Sequence, residues 1–353
     1  MTESVNLERR FTGLLLGTAV GDALGLPAEG LPTSRIQKRW KGDWQMRLVF
    51  GRGMVSDDTE HSFLVAQSLL TAPGNAAAFR CGLATRLRWW FLALPAGVGW
   101  ATARACLKLW LGFGPERSGV FSAGNGPAMR SAILGAFFAD DEQRRHEFVV
   151  ASTRLTHTDP KAQIAALAVA EAVAWIVGGR GAVTGFLSQL RTCGTADEWW
   201  EICRQLEQAL AAEKPAKDFA RSLGLEYGVT GYAFHTVPVA IYSWLRHPQD
   251  FRKAMNEGLN CGGDTDTVGA IVGAIVGCNV GPDGIPAQWL DRVWDWPRTI
   301  GKMRILGSRL ALAKAQGQPQ LPVRYFWIGV LPRNLLFLVV ILGHGLRRMF
   351  PPY

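Results

Sequence analysis

Apolar positions along the chain recur mostly at the three-to-four-residue spacing of helices and rarely alternate as in strands. Residues 60–71 (EHSFLVAQSLLT), 161–177 (KAQIAALAVAEAVAWIV), 197–213 (DEWWEICRQLEQALAAE) and 267–278 (TVGAIVGAIVGC) carry helical spacing or unbroken runs of helix formers. A further apolar helical run covers 11–20. Val149-Val150 and Arg47-Leu48-Val49-Phe50 are the nearest approach to strands and are too short to build a sheet. The pattern predicts an all-α protein folded as a compact multi-helix bundle. Stretches rich in glycine and proline, at 25–32, 112–119, 178–185 and 281–286, fall between helices, and no repeat is visible. The one break in composition is 316–322 (QGQPQLP), after which the chain turns strongly apolar. The expected organisation is one large domain over 1–315, a linker over 316–322 and an apolar tail over 323–353.

Composition narrows the class. Of 353 residues, 48% are hydrophobic and 19% charged, which suits a soluble protein with a sizeable core. Tryptophan pairs such as Trp89-Trp90 and Trp199-Trp200 read as packing. The net charge of +9 favours anionic partners in general. The charges are scattered and form no basic block interleaved with aromatics, so nucleic acid is not an expected partner. The six cysteines show neither a CxxC pair nor a zinc-binding spacing, and most read as buried thiols. The opening MTESVNLERR is not followed by a signal-peptide cleavage site. Both observations point to a reducing, cytoplasmic setting.

Five polar segments could carry chemistry. Gly21-Asp22-Ala23-Leu24-Gly25 and the following residues to Glu29-Gly30 read either as a glycine-rich turn with solvated acids or as backbone that approaches a ligand. Ser56-Asp57-Asp58-Thr59-Glu60 precedes a helix. Asp57 and Glu60 could form a capping box, yet one cap needs one side chain, and four oxygen-bearing side chains in a row also suit a hard divalent cation. Gly262-Gly263-Asp264-Thr265-Asp266-Thr267 again offers more acids at a helix start than capping requires. Should the two clusters meet, Asp57, Asp58, Asp264 and Asp266 would crowd about four negative charges into one pocket, a setting that two divalent ions relieve. Ser122-Ala123-Gly124-Asn125-Gly126 is a glycine-rich loop suited to phosphate but weak as a lone motif. Thr156-His157-Thr158-Asp159-Pro160 holds a capping residue for the next helix and a histidine that could be buried or could face a ligand. Gly269, Gly273 and Gly277 lie on one helix face, as in close helix–helix packing beneath a site.

In this order, the segments FTGLLLGTAVGDALGLPAEG, SDDT, GNGPAMR, THTDP and GGDTDTVGAIVGAIVG resemble the ADP-ribosylglycohydrolase family over roughly residues 10–295. The resemblance implies an orthogonal helical bundle, a catalytic domain over 1–315 and a centre of two divalent cations, Mg²⁺ or Mn²⁺. It implies Ser56, Asp57 and Asp58 as one half of the metal ligands and Asp264, Asp266 and Thr267 as the other. It places Glu29 beside the reacting ribose as an acid/base or gating carboxylate, with Asp57 and Asp266 as the catalytic acids of the metal centre. Asp22, Ser122, Gly124, Asn125, Gly126 and His157 would contact substrate. The substrate would be ADP-ribose joined to a protein side chain or a small molecule. Relatives often carry an aromatic residue facing the adenine where this chain has Ala123. A two-metal phosphohydrolase and a silent ADP-ribose binder are the rival readings. The first normally adds histidine ligands that this chain does not cluster, and the second usually loses a ligand acid.

The tail lies outside the resemblance. Two apolar runs, 325–331 (YFWIGVL) and 335–342 (LLFLVVIL), flank Pro332-Arg333-Asn334. Neither run alone reaches the roughly 20 residues that span a bilayer. Joined they would, but Arg333 would then sit near the bilayer centre at a cost of about 2.5–3.5 kcal/mol. Three fates are expected: a peripheral anchor at the inner face of the membrane, a helix docked on the domain or a second subunit, or a true span.

Overall fold

The structure, a computed structural model, describes residues 3–40, 44–182 and 185–350. Among these residues it is all-α, as the periodicity predicts, with seventeen α-helices and no strand beyond isolated bridges. The helices are α1 (Glu3–Gly25), α2 (Thr33–Arg39), α3 (Asp57–Thr71), α4 (Ala76–Leu92), α5 (Trp100–Trp110), α6 (Ala132–Phe137), α7 (Glu142–Arg154), α8 (Pro160–Val177) and α9 (Phe186–Thr192). They continue as α10 (Asp197–Ala211), α11 (Ala216–Ser222), α12 (Ala233–Arg246), α13 (Phe251–Leu259), α14 (Thr265–Val280), α15 (Ala287–Leu290), α16 (Ile300–Gln316) and α17 (Val330–Arg347). As expected, Arg47-Leu48-Val49-Phe50 builds no sheet; it enters a tight turn in which the Val49 and Arg52 backbones bond reciprocally, at 3.0 and 2.8 Å. One expectation shifts: the segment 21–25 is not a turn but the last part of α1.

That extension has a packing cause. Gly13, Gly17, Gly21 and Gly25 repeat every fourth residue on α1, and Gly277, Gly273 and Gly269 repeat likewise on α14. The two helices run antiparallel and so close that a Cβ on Gly17 would lie 2.0 Å from the Gly273 carbonyl oxygen. At Gly21 it would lie 1.9 Å from that of Gly269, and at Gly25, 2.2 Å from that of Thr265. Only hydrogen fits between the backbones at these crossings. This is the most extensive helix pair in the molecule and forms the centre of the bundle. It also sets the end of α1, with Asp22, directly beside the start of α14, with Asp266 and Thr267.

The start of α3 reaches the same place. Ser56 caps it, its hydroxyl accepting from the Asp58 N–H at 3.3 Å. Asp57 is therefore the first helical residue, not the cap. Glu60 does not bond back as a capping-box partner. It faces inward, fully desolvated, where it pairs with Arg298 and accepts from the Trp90 indole N–H at 2.6 Å. At α8, Asp159 caps and Pro160 opens the helix, as the sequence suggests.

The segment after 316 stays on the body. The Gln320 N–H bonds the Leu70 carbonyl at 2.8 Å, and the Val323 N–H bonds Gln67 Oε1 at 2.8 Å. Pro332-Arg333-Asn334 does not interrupt α17 but lies in its first turns, where Pro332 forfeits no helical hydrogen bond. Residues 351–353 of the tail lie outside the described residues.

Candidate active site

Three chain segments are stitched together at the end of the α1–α14 pair. The Gly30 N–H bonds the Gly263 carbonyl at 2.7 Å, and the Gly263 N–H returns to the Leu31 carbonyl at 2.8 Å. On the other side, the Val229 N–H bonds the Gly262 carbonyl and the Asp264 N–H bonds the Val229 carbonyl, both at 2.9 Å. Gly262 and Gly263 hold φ of +74° and +77°, and a Cβ on Gly263 would fall 1.9 Å from the Val229 carbonyl oxygen. The two glycines are thus what allows Glu29, Asp264 and the 229–231 loop to surround one space.

That space is a cleft of about 480 Å³, within the range of small-molecule sites. Its walls include Glu29, Asp57, Asp58, Asp264, Asp266 and Thr267 together with Ser122, Gly124, Asn125, Gly126 and His157. The two acidic clusters therefore meet. The Thr267 hydroxyl donates to Asp58 Oδ2 at 3.3 Å, and the Ser56 hydroxyl donates to the same oxygen at 3.0 Å.

Burial dominates the electrostatics. It holds the Asp57 carboxyl well above its usual range, reinforced by the negative charges of Asp22, Glu60 and Glu29. Asp58 is raised likewise by burial, then by Asp22, Asp57 and Asp264. Asp266 is raised by burial, then by Glu29, Asp264 and Asp58. Glu29 stays open to solvent at the mouth, yet crowding by the cleft walls and the Asp264 charge push its pKa up, with Arg348 opposing.

Two carboxylate oxygens, Asp58 Oδ1 and Asp266 Oδ1, are buried with no hydrogen-bond partner. A buried acceptor without a donor is costly, on the order of 1–3 kcal/mol. Among the described residues, no three His, Cys, Asp or Glu side chains converge into a closed cage for an ion. The donor set is nonetheless all oxygen, rich in acids and short of cations, which fits Mg²⁺ or Mn²⁺ better than a soft metal. The orphaned oxygens are the atoms such ions would satisfy.

Several expected residues take other places. Asp22 is fully buried behind the cleft and does not reach it. Its carboxylate accepts from the Ser56 N–H at 2.9 Å, from the Thr59 N–H at 3.1 Å and from the Thr59 hydroxyl. Burial pushes its pKa up to about 7 against those bonds. Its expected substrate contact is corrected to a clamp that fixes the start of α3. The Asn125 amide is also committed within the protein, donating to Asp264 Oδ2 at 2.6 Å and to the Thr236 hydroxyl at 2.9 Å. It orients the Asp264 carboxylate while its loop lines the cleft.

His157 packs under that loop. A Cβ on Gly124 would lie 3.0 Å from its Nε2, and one on Gly126 3.2 Å from its Cε1. Burial, aided by Arg130, drives its pKa down to about 3, so the ring is neutral near pH 7. The Thr156 hydroxyl accepts from Arg130 at 2.8 Å and lies 2.8 Å from His157 Nδ1. The hydroxyl can still donate to Nδ1, and in that tautomer the ring proton sits on Nε2, facing the loop and cleft.

The sequence reading missed Trp100 and Thr102 on the wall formed by 97–102, and Thr230 and Gly231 on the opposite loop. Trp100 is 84% exposed although it lines the cleft. No sequence pattern marked Trp100, because its exposure on the cleft wall comes from the fold. Arg130 was inside a quoted motif without a role; it is buried, close enough to feel the charge of Asp57 and to lower the pKa of His157, and donates to Ser152 at 3.1 Å and Thr156 at 2.8 Å.

The helical architecture agrees with known proteins. The family description ADP-ribosylglycohydrolase matches residues 3–319. This chain belongs to the ADP-ribosylglycohydrolase family. It is an enzyme, a hydrolase acting on the glycosidic bonds of ADP-ribose. It is similar to the ADP-ribosyl-[dinitrogen reductase] glycohydrolase of Rhodospirillum rubrum, with 27% identity over 80% of this chain and 90% of that one. The ADP-ribosylhydrolase ARH3 of Xenopus tropicalis is 30% identical over 79% of this chain and 89% of its own length. Among solved structures, an ADP-ribosylglycohydrolase-related protein complex superimposes with a TM-score of 0.62 at 25% identity, covering 88% of this chain and 99% of that one.

Proposed function

We propose that this glycohydrolase uses two divalent cations, Mg²⁺ or Mn²⁺, to hydrolyse the bond between ADP-ribose and a modified protein side chain or small molecule. Ser56, Asp57, Asp58, Asp264, Asp266 and Thr267 would hold the ions. When bound, the ions would supply a grip on the ribose diol and a more acidic water. The relatives whose names specify a target act on ADP-ribosylated protein, which favours protein-linked ADP-ribose as substrate.

The chain's own groups account for the rest. The bond from the anomeric carbon to the leaving nitrogen or oxygen breaks as positive charge builds on the ribose, and a water oxygen replaces it. Glu29 stands at the mouth, where it can give a proton to the departing group, a role that a raised pKa favours. Afterwards the carboxylate regains a proton from the attacking water. His157 is neutral, and in the tautomer whose Nδ1 accepts from Thr156 its Nε2 donates a hydrogen bond toward substrate oxygen beside the 122–126 loop. The absence of side chains at Gly124 and Gly126 lets a diphosphate approach that backbone. Trp100 offers an aromatic face for adenine in place of the aromatic absent at Ala123.

The observation that carries this reading is the meeting of two acidic clusters with two orphaned buried oxygens in one cleft. Calorimetric titration of chelator-treated protein with Mn²⁺ or Mg²⁺, then with ADP-ribose, tests it. Saturable metal binding and tighter ADP-ribose binding with metal are expected. Absence of both would remove the metal centre from the account.

A further inference from the structure

α17 is apolar on both sides. Its inward stripe mixes Arg333, Asn334 and His344 with Val330, Phe337, Val340 and Ile341, whereas Leu335, Leu338, Val339, Leu342 and Leu346 point outward and are exposed. A helix on a soluble protein ordinarily turns a polar face outward. The inward contacts are specific. Arg333 is buried and pairs with Asp295 and Glu60 while donating to the Val55 carbonyl at 2.6 Å. Asn334 donates to the Ala93 carbonyl at 2.8 Å, and His344 Nε2 lies 2.9 Å from the Pro27 carbonyl oxygen.

The exposed apolar face does not stop at α17. The Asn334–Ala93 bond brings in the end of α4, where Trp89 and Leu92 are exposed, and Trp89 makes an edge contact with Trp110 of α5 at 5.8 Å. Between α4 and the start of the tail lies an apolar cavity of about 720 Å³, rimmed by Trp89, Trp327 and Ile328 and lined by no acid. The segments that build this side are rich in arginine and poor in acids, with Glu116 paired to Arg80 and Glu29 beside Arg348 at the far end of the helix. Residues 61–115 hold four arginines, one lysine and no Asp or Glu, and 323–353 hold four arginines and no Asp or Glu. Exposed Arg324 and Arg347 flank the two ends of the helix.

We propose that this face is a docking surface for an anionic lipid bilayer, in which α17 lies in the plane of the interface as a monotopic helix. The apolar face enters the acyl boundary, Trp89 and Trp327 sit at headgroup depth, and the arginines meet the lipid phosphates. Three helices are long and apolar enough to cross a membrane by length and composition: Val5–Ala28, Pro160–Val177 and Trp327–Arg347. The first two are mostly inside the bundle, and only 28% of the third is buried. A spanning α17 would have to pull Arg333 from Asp295 and strand both charges, so the docked, in-plane arrangement is the one that keeps the ion pair. The 93–99 loop connects this face with the cleft wall at Trp100, so the enzyme's mouth opens beside the bilayer.

The test is flotation of the full chain with vesicles of phosphatidylglycerol and phosphatidylcholine, and with phosphatidylcholine alone, alongside light scattering without lipid. Wild-type protein floats with the anionic vesicles. The combined variant Leu335→Gln, Leu338→Gln, Val339→Gln, Leu342→Gln changes only outward positions, keeps its helical content and loses at least about tenfold in partitioning. Arg324→Glu with Arg347→Glu lowers the preference for anionic over neutral vesicles by about tenfold or more. A wild-type protein that remains monomeric and floats with neither vesicle overturns the proposal. Flotation undiminished in the fourfold variant also overturns it. A lipid-independent dimer that the fourfold variant abolishes, without flotation, assigns the face to a second copy of the chain instead.

Discussion

Replacing Arg333 with leucine isolates the contact that ties α17 to the segment leading into Ser56-Asp57-Asp58. Arg333 is 5% exposed, pairs with Asp295 and donates to the carbonyl of Val55, the residue before Ser56. Removing one partner of a buried ion pair costs about 3–5 kcal/mol, because the other charge stays buried. Glu60 is not stranded, since Arg298 still pairs with it. Asp295 is stranded. Burial already raises its pKa while Arg333 opposes the rise, so without Arg333 the carboxyl rises further and can escape the cost by protonation. The deficit of Arg333→Leu is therefore largest at neutral to alkaline pH and shrinks as pH falls. At about 2 °C per kcal/mol for a chain of this size, the melting temperature should drop by about 6–10 °C near pH 7.5. Scanning calorimetry of Arg333→Leu, Asp295→Asn and the double variant is the assay. The double variant should recover at least about 2 kcal/mol relative to the sum of the singles. A single variant within about 1 °C of wild type, with no coupling, would refute the reasoning that this pair anchors the tail.

Three further outcomes follow from the cleft. Gly263→Ala forces a Cβ to within 1.9 Å of the Val229 carbonyl at a φ of +77°, and chemical denaturation should show a loss of at least about 2 kcal/mol together with weakened ADP-ribose binding. Asp57, Asp58 and Asp266 have pKa values raised on folding, so the metal-free protein keeps their contribution at acid pH and loses it as pH rises through the folded values. Melting curves with chelator should thus fall from mildly acidic to neutral pH, and Mn²⁺ or Mg²⁺ should restore stability most at the upper end; a chelator-independent profile would contradict this. Trp100→Ala should weaken ADP-ribose binding about tenfold, the scale of one lost base stack, with kcat nearly unchanged, as measured by titration and steady-state kinetics.

Much of this was legible in the sequence because the clusters sit on local signals. SDDT and GGDTDT each precede an apolar helix, so their placement at helix starts followed from neighbouring residues. The ridge of Gly269, Gly273 and Gly277 announced a close helix packing beneath the site. Its partner was not recognised, because Gly21 and Gly25 in GDALG look like turn residues until the facing backbone of α14 supplies the reason for them. Asp22 was misjudged for a related reason. Its role depends on two N–H groups that lie 34 and 37 residues further along the chain. Glu60 satisfied the local capping pattern, yet Arg298 and Trp90 claim it in the folded protein. In the tail, the arginine that argued against burial in lipid is buried in protein, and only the three-dimensional partner Asp295 reveals which side of α17 faces inward.

The central claim is that the converged acids form a metal-dependent site for breaking the ADP-ribosyl bond. The most direct measurement is release of ADP-ribose from arginine- and serine-ADP-ribosylated proteins by wild type, Asp266→Asn and Glu29→Gln, each with Mg²⁺, with Mn²⁺ and with chelator. The account predicts release by wild type on at least one linkage only when metal is present. It predicts loss of metal and of most activity in Asp266→Asn with helical content intact. It predicts at least about a 100-fold slower rate in Glu29→Gln with metal binding retained. Turnover that persists in chelator, or in Asp266→Asn at a near-normal rate, would contradict it.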